Sequence, residues 1–270
     1  MRLRPLRAPR LITRTALTLA AVLAATGPAA GAETFSHADW GRVLAKYVDE
    51  RGFVDYRGLA DDRSTFDRYI ARLRAASPEP DPALFPTEDH ELAYYINAYN
   101  AWVIRGVLDR GPDIDSVWGL FGTGISFFSG MDIELGGRET DLKALEDEVI
   151  RAEYGDARIH AALNCASVSC PRLPREPFTG ERLDAQLDAA MHEFVTDPKH
   201  LRVDRGAKKV TASKIFDWYS GDFLADAKER GVREPNLIDY ANLYRGEAGT
   251  IPRSYQIAFF EYDKGLNAQR

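Results

Sequence analysis

The chain has 270 residues, with 35 Lys and Arg against 41 Asp and Glu, two Cys, 45% apolar and 11% aromatic residues. That length builds one full core or two small ones, and these fractions exclude intrinsic disorder and low-complexity architectures. A net charge of −6 argues against a general nucleic-acid binder, and two cysteines exclude a disulfide-rich scaffold or a four-thiolate zinc site.

Arg2, Arg4, Arg7, Arg10 and Arg14 precede an apolar stretch, Ala16 to Ala25, which Thr26-Gly27-Pro28 interrupts. Ala30-Gly31-Ala32 fits the small-x-small cleavage rule, with Glu33 as the new N-terminus. The apolar run is about ten residues, short of the ~20 that cross a bilayer, which predicts a cleavable signal peptide over 1–32 and no stable membrane anchor. The mature chain, 33–270, is then exported, periplasmic first and secreted second. Loss of the five arginines takes its net charge from −6 to −11, a surface that repels nucleic acid and anionic lipid alike.

In the mature chain Ser36 is placed to cap a helix carrying Trp40, Val43, Leu44, Tyr47 and Val48 on one face. Phe66, Tyr69, Ile70 and Leu73 mark a second, and four prolines between Ser77 and Pro86 mark a loop. From about Glu88 to Asp109 the pattern is apolar nearly all round, which predicts a buried helix. Asn97 and Asn100 then lie on packed surface and need partners; tying the helix to loop backbone is preferred over direct chemistry. Met131 to Leu135 alternates into Gly136-Gly137, a hairpin signal. Thr140 is expected to cap the next helix, which Gly155 ends. Ile159 to Leu163 reads as a buried strand. A helix over Leu183 to Val195, a second hairpin at Leu201–Val203 and Val210–Ala212, three short helices and a strand at Tyr255–Tyr262 complete the chain. The expected class is α+β: a single domain, mainly helical around a small, largely antiparallel sheet.

Arg158 to Leu173 is the segment with chemistry in it. Both cysteines, Cys165 and Cys170, and one of five histidines, His160, fall within it, around a loop of small residues. A thiolate nucleophile needs a neighbouring base or cation, and small residues let backbone N–H groups approach a reacting carbonyl. On a straight strand side chains five apart face opposite ways, so His160 and Cys165 meet only if the chain bends near Asn164. Spacing and compartment leave three states open: a Cys165–Cys170 disulfide first, a nucleophile second, inert buried thiols third. Other signals are weaker. No two histidines stand at i and i+4, phosphate-loop and GXSXG patterns are absent, and neither metal nor cofactor is expected. Glu146, Asp147 and Glu148 read as a solvated helix face, and Asp217-Trp218-Tyr219 with Asp222-Phe223 as packing and a cap.

ELAYYINAYNAWVI (Glu91 to Ile104), DLKALEDEVIR (Asp141 to Arg151), IHAALNCASVSCPRL (Ile159 to Leu173), SKIFDWYSGDF (Ser213 to Phe223) and YDKGLN (Tyr262 to Asn267) together resemble the bacterial and plant family called domain of unknown function 547. The resemblance runs from about Val43 over most of the mature chain. Lys264 departs from it, standing where the family usually has Trp. Plant members keep the His and first Cys but often lack the second, which implies Cys165 as nucleophile. A papain-like fold is a further expectation from the resemblance, permuted because His160 precedes Cys165.

Two readings follow. The first is a thiol hydrolase or acyl transferase acting on amide or thioester bonds: Cys165 as nucleophile, His160 as base, and Glu91 or, in reserve, Asp217 as the orienting acid, with Asn97 or Asn100 steadying an oxyanion. The second is a non-catalytic binding or assembly module with a structural Cys165–Cys170 disulfide, its aromatic residues lining a groove for a peptide, a glycan or a small molecule.

Overall fold

The computed structural model describes residues 33–119 and 124–269. The expected signal peptide, 1–32, lies outside the described residues.

Apolar spacing places Trp40, Val43, Leu44 and Tyr47 on the buried side of α1 (Ala38–Tyr47), with the Ser36 hydroxyl accepting from the Ala38 N–H at 3.4 Å. The short α2 (Tyr56–Asp61) leads to α3 (Ser64–Ala75), which buries Phe66, Tyr69, Ile70 and Leu73. After the proline loop, Thr87 caps α4 (Glu88–Arg110), the spine of the molecule, buried through Asn97, Asn100, Trp102 and Val107. A one-turn α5 (Ile125–Phe128) precedes the first hairpin, β1 (Asp132–Leu135) and β2 (Arg138–Asp141). Its turn needs glycine. Gly136 and Gly137 have φ of 56° and 76°, and a Cβ on Gly136 would meet the Ser77 hydroxyl at 2.3 Å.

The next helical run departs from expectation. Asp141, not Thr140, caps it, accepting from the Ala144 N–H at 2.8 Å. It opens as α6 (Leu142–Ala144), widens into a π-helical turn over Leu145–Arg151, and closes as α7 (Ala152–Tyr154) at Gly155, φ 64°. The expected strand at Ile159–Leu163 is a buried 3-10 helix, Ala157–Ala161, with the Asp156 carboxylate accepting from the Arg158 N–H. An unbroken apolar run has no period, so it fits a strand and a buried helical turn equally well.

The C-terminal part comprises α8 (Leu183–Thr196), the hairpin β3 (Leu201–Asp204) and β4 (Lys209–Ala212), then α9 (Lys214–Trp218), α10 (Ser220–Glu229) and α11 (Leu237–Arg245). The last strand, β5 (Gln256–Phe259), pairs parallel to β4, a geometry that needs the long crossover α9–α11 supply. The described residues are therefore mostly helical with two small sheets, one a hairpin and the other mixed, in place of the one largely antiparallel sheet expected. The element order gives no support to a permuted papain-like arrangement. No helix of the described residues is long and apolar enough to cross a membrane.

Two hydrophobic clusters form the core, one around α1, α3 and α4, the other around α8 to α11 and the mixed sheet. The 3-10 helix feeds both: Ile159 packs into the first, Ala157 and Ala161 into the second. The Cys165–Cys170 loop follows directly, at the seam between them. The C-terminal tail is stitched onto that loop, with Val168 N–H donating to Gly265 O at 2.8 Å and Asn267 N–H to Ala166 O at 3.1 Å.

Candidate functional site

At the seam lies a cleft of about 300 Å³, with His160, Cys165 and Cys170 in its wall. Its sides are aromatic: Tyr99 from α4, Trp118, Trp218 at the end of α9, Tyr219 and Tyr262. Several of these rings are fixed by polar anchors. The Trp118 indole N–H donates to the Ser167 hydroxyl at 2.7 Å, and the Tyr219 ring stacks on His160 with centroids 4.0 Å apart. Trp118, Trp218 and Tyr262 form a cluster with centroid separations of 4.8 to 6.3 Å. Trp218 is nevertheless 45% exposed, and Ile125, which also lines the cleft, 67%, so part of the cleft lining is an apolar surface open to solvent.

His160 is held from behind. Its side chain is 2% exposed, and Nε2 lies 2.8 Å from Asp222 Oδ2. Arg151 Nε donates to the same carboxylate at 2.8 Å and reaches Asp147 at 2.6 Å. The bond from His160, and after it that from Arg151, holds the Asp222 carboxyl well below the usual carboxylate range. Histidine, carboxylate and guanidinium thus form a closed chain that fixes the imidazole plane.

The nucleophile reading is overturned here. Cys165 and Cys170 are joined in a disulfide, and no free cysteine remains among the described residues. A sulfur bonded to sulfur has no thiolate to attack a carbonyl, so a thiol hydrolase or acyl transferase loses the atom on which it depended. The sulfurs instead accept from the Tyr262 hydroxyl, at 3.1 Å from Cys165 Sγ and 3.3 Å from Cys170 Sγ. Asn164 closes the base of the loop, accepting from the Ala166 N–H at 2.9 Å and donating to Pro171 O at 2.8 Å. With those bonds Ala166 sits at φ 60°.

The remaining candidates separate. Glu91 accepts from the Tyr154 hydroxyl at 3.1 Å and does not orient His160. Asp217 pairs with Lys214 at 2.6 Å on the surface. The orienting acid is Asp222, five residues beyond Asp217 and in the first turn of α10, in the same aromatic and acidic stretch, and no local signal separates the two. The asparagines hold backbone. Asn97 donates to Phe178 O at 2.7 Å and accepts from Phe178 N–H at 3.1 Å. Asn100 donates to Ala162 O at 2.9 Å and accepts from the Asn164 N–H at 2.8 Å, anchoring the chain just ahead of the disulfide loop.

Glu146 and Asp147, expected on a solvated face, line the cleft, while Glu148 stays exposed. The π-helical turn is the cause. A widened turn rotates side chains off the α-helical stripe, and such turns recur at functional sites. Glu146 accepts from the Tyr219 hydroxyl at 2.6 Å and from the Tyr99 hydroxyl at 3.0 Å. Burial, with the Glu146 charge behind it, pushes both phenols well above their ordinary range. Among the described residues, no group of three or more His, Cys, Asp and Glu is placed to hold a metal ion.

These features define a mainly helical domain with an aromatic, acid-bearing cleft floored by a disulfide. Residues 85–195 match the family model described as protein of unknown function, DUF547. The matched stretch contains α4, the first hairpin, the π-helical turn, the disulfide loop and most of α8. It stops short of Ser213–Phe223 and Tyr262–Asn267, which supply Trp218, Tyr219, Asp222 and Tyr262 to the site. No curated protein and no solved structure matches the chain.

Proposed function

We propose that this protein is an exported, non-catalytic binding module of bacterial origin, a single domain over 33–270 released from a signal peptide at 1–32, whose ligand seats in the aromatic cleft. One observation carries the reading: the only two cysteines close a disulfide against Tyr262, so the thiol nucleophile that the cleft wall would have supplied is a structural clamp. A disulfide is at home in an oxidising compartment such as the periplasm, which supports export. The exposed apolar lining at Trp218 and Ile125 supports binding, since a half-exposed tryptophan beside a concave, polar-floored site is the usual anchor of an interface. The acidic mature chain speaks against nucleic acid as the occupant.

Thermal-shift screening of peptides and glycans against the wild type and Trp218→Ala tests the reading. A ligand of this cleft raises the melting temperature of the wild type and leaves the variant unmoved. Hits that stabilise both chains equally, or that disappear only on substitution outside the cleft, overturn it.

A further inference from the structure

Three carboxylates, Glu146, Asp147 and Asp222, meet two basic side chains and His160 around the cleft. Asp147 is matched by Lys143 and Arg151, and Asp222 by Arg151 and His160. Glu146 bonds to two tyrosine hydroxyls and to no cationic side chain among the described residues. Hydroxyl donors orient a carboxylate without neutralising it, and each oxygen keeps acceptor capacity. Lys143, bonded to Asp147, is a nearby cation whose charge Glu146 feels, but among the described residues no cation is bonded to the Glu146 carboxylate itself.

The rings beside it are of the kind that hold one. Two already do: the Arg151 guanidinium lies 4.9 Å from the Tyr219 ring centroid, and Lys264 Nζ lies 4.7 Å from that of Trp118. Trp218 and Tyr262 meet at a 49° tilt with centroids 4.8 Å apart, forming a corner over which the described residues place no cation of their own. Glu146 lines the same cleft as both rings, and its charge adds to burial in raising the Tyr262 phenol. Aromatic rings that line one cleft together with a carboxylate recognise ammonium ions by quadrupole attraction and charge together.

Resting on the binding-module reading, we infer that the ligand carries an organic ammonium group, seated in the corner of Trp218 and Tyr262 with Glu146 as its counter-charge. Choline and its neutral isostere 3,3-dimethylbutan-1-ol differ by one charge at constant shape, which makes them the probes. Titrated into the full mature chain by NMR, choline should bind saturably and shift the Trp218 and Trp118 indole resonances, with the isostere roughly tenfold weaker or worse. Glu146→Gln retains the size of the side chain and an oxygen for the tyrosines, and should weaken choline by roughly tenfold while leaving the rest of the spectrum in place. Nα-acetyl-lysine amide, which keeps its side-chain ammonium, and glucosamine, run alongside, distinguish a peptide source of the ammonium from an amino-sugar source. Equal affinity for choline and the isostere, unchanged choline affinity in Glu146→Gln, or no shift of cleft resonances by choline overturns the inference. A neutral oligosaccharide that needs Trp218 but not Glu146 also overturns it, while leaving the cleft as the binding site.

Discussion

Asp222 is the residue on which the polar floor of the cleft turns. It takes bonds from His160 and Arg151 at once, and the histidine is almost fully enclosed. Asp222→Ala leaves that imidazole without its partner, and because Asp222 and Arg151 are themselves part-exposed the loss is about 1 to 2 kcal/mol, below that of a fully buried pair. Urea unfolding should report this as a lowered midpoint; a midpoint within error of the wild type would show that the trio contributes nothing. The disulfide predicts differently. Its loop is short, so Cys165→Ser with Cys170→Ser should cost only about 2 kcal/mol in the chain-entropy account. Ligand binding should survive, because the rings and not the sulfurs make the site. Thiol titration of the unreduced, unfolded wild type should find no free thiol, and two thiols per chain would remove the clamp from the account.

Among the elements, periodic ones were legible and bonded ones were not. The spacing of Leu92, Ile96, Tyr99 and Val103 announces α4 wherever the rest of the chain lies, because a helix repeats every few residues. Gly136-Gly137 announces its hairpin for an equally local reason. The Ile159–Leu163 run has no period, so its 3-10 form was set by neighbours on both sides. The π-helical turn was hidden too: its sequence is a good α-helix, and the widening that brings Glu146 inward shows only in three dimensions. The C-terminal tail is the other hidden element. Asn267 accepts from the Tyr56 hydroxyl at 2.7 Å and donates to Asn164 Oδ1 at 3.1 Å, joining three distant segments beneath the disulfide loop. Asn267→Ala therefore leaves the buried Tyr56 hydroxyl without its acceptor and takes one of two donors from Asn164 Oδ1, which keeps the Ala166 N–H, a cost of about 2 kcal/mol. Hydrogen exchange should rise at Ala166 to Ser169, and unchanged protection there would show that the tail does not brace the loop.

Across the whole molecule, acid should unfold the protein in two stages. Burial holds His200 at about 4, against 6.5 for the free side chain, and His37 likewise at about 4. Between pH 6.5 and 4 the unfolded chain takes up protons that the folded chain refuses. Stability is complete above pH 6.5, falls as the pH drops towards 4, and changes no further from these groups below that. A shift of this size is worth about 3 kcal/mol for His200. Asp222, depressed in the fold, adds its loss only below the ordinary carboxylate range. Urea midpoints at pH 7, 5.5 and 4.5 should therefore fall less steeply in His200→Gln than in the wild type; parallel slopes would clear His200 of the effect.

Local order along the chain specified where helices and hairpins form, which amides needed partners and which block carried the cysteines, since each depends on residues a few positions apart. The partners themselves were settled by folding. Asp222 stands 62 positions from His160, and Glu146 is 73 from Tyr219. Packing the two hydrophobic clusters against each other brings those pairs to hydrogen-bonding distance. The same packing brings Tyr262 over both sulfurs, so a cysteine pair that reads in sequence as a disulfide or a nucleophile becomes the clamp at the floor of the cleft.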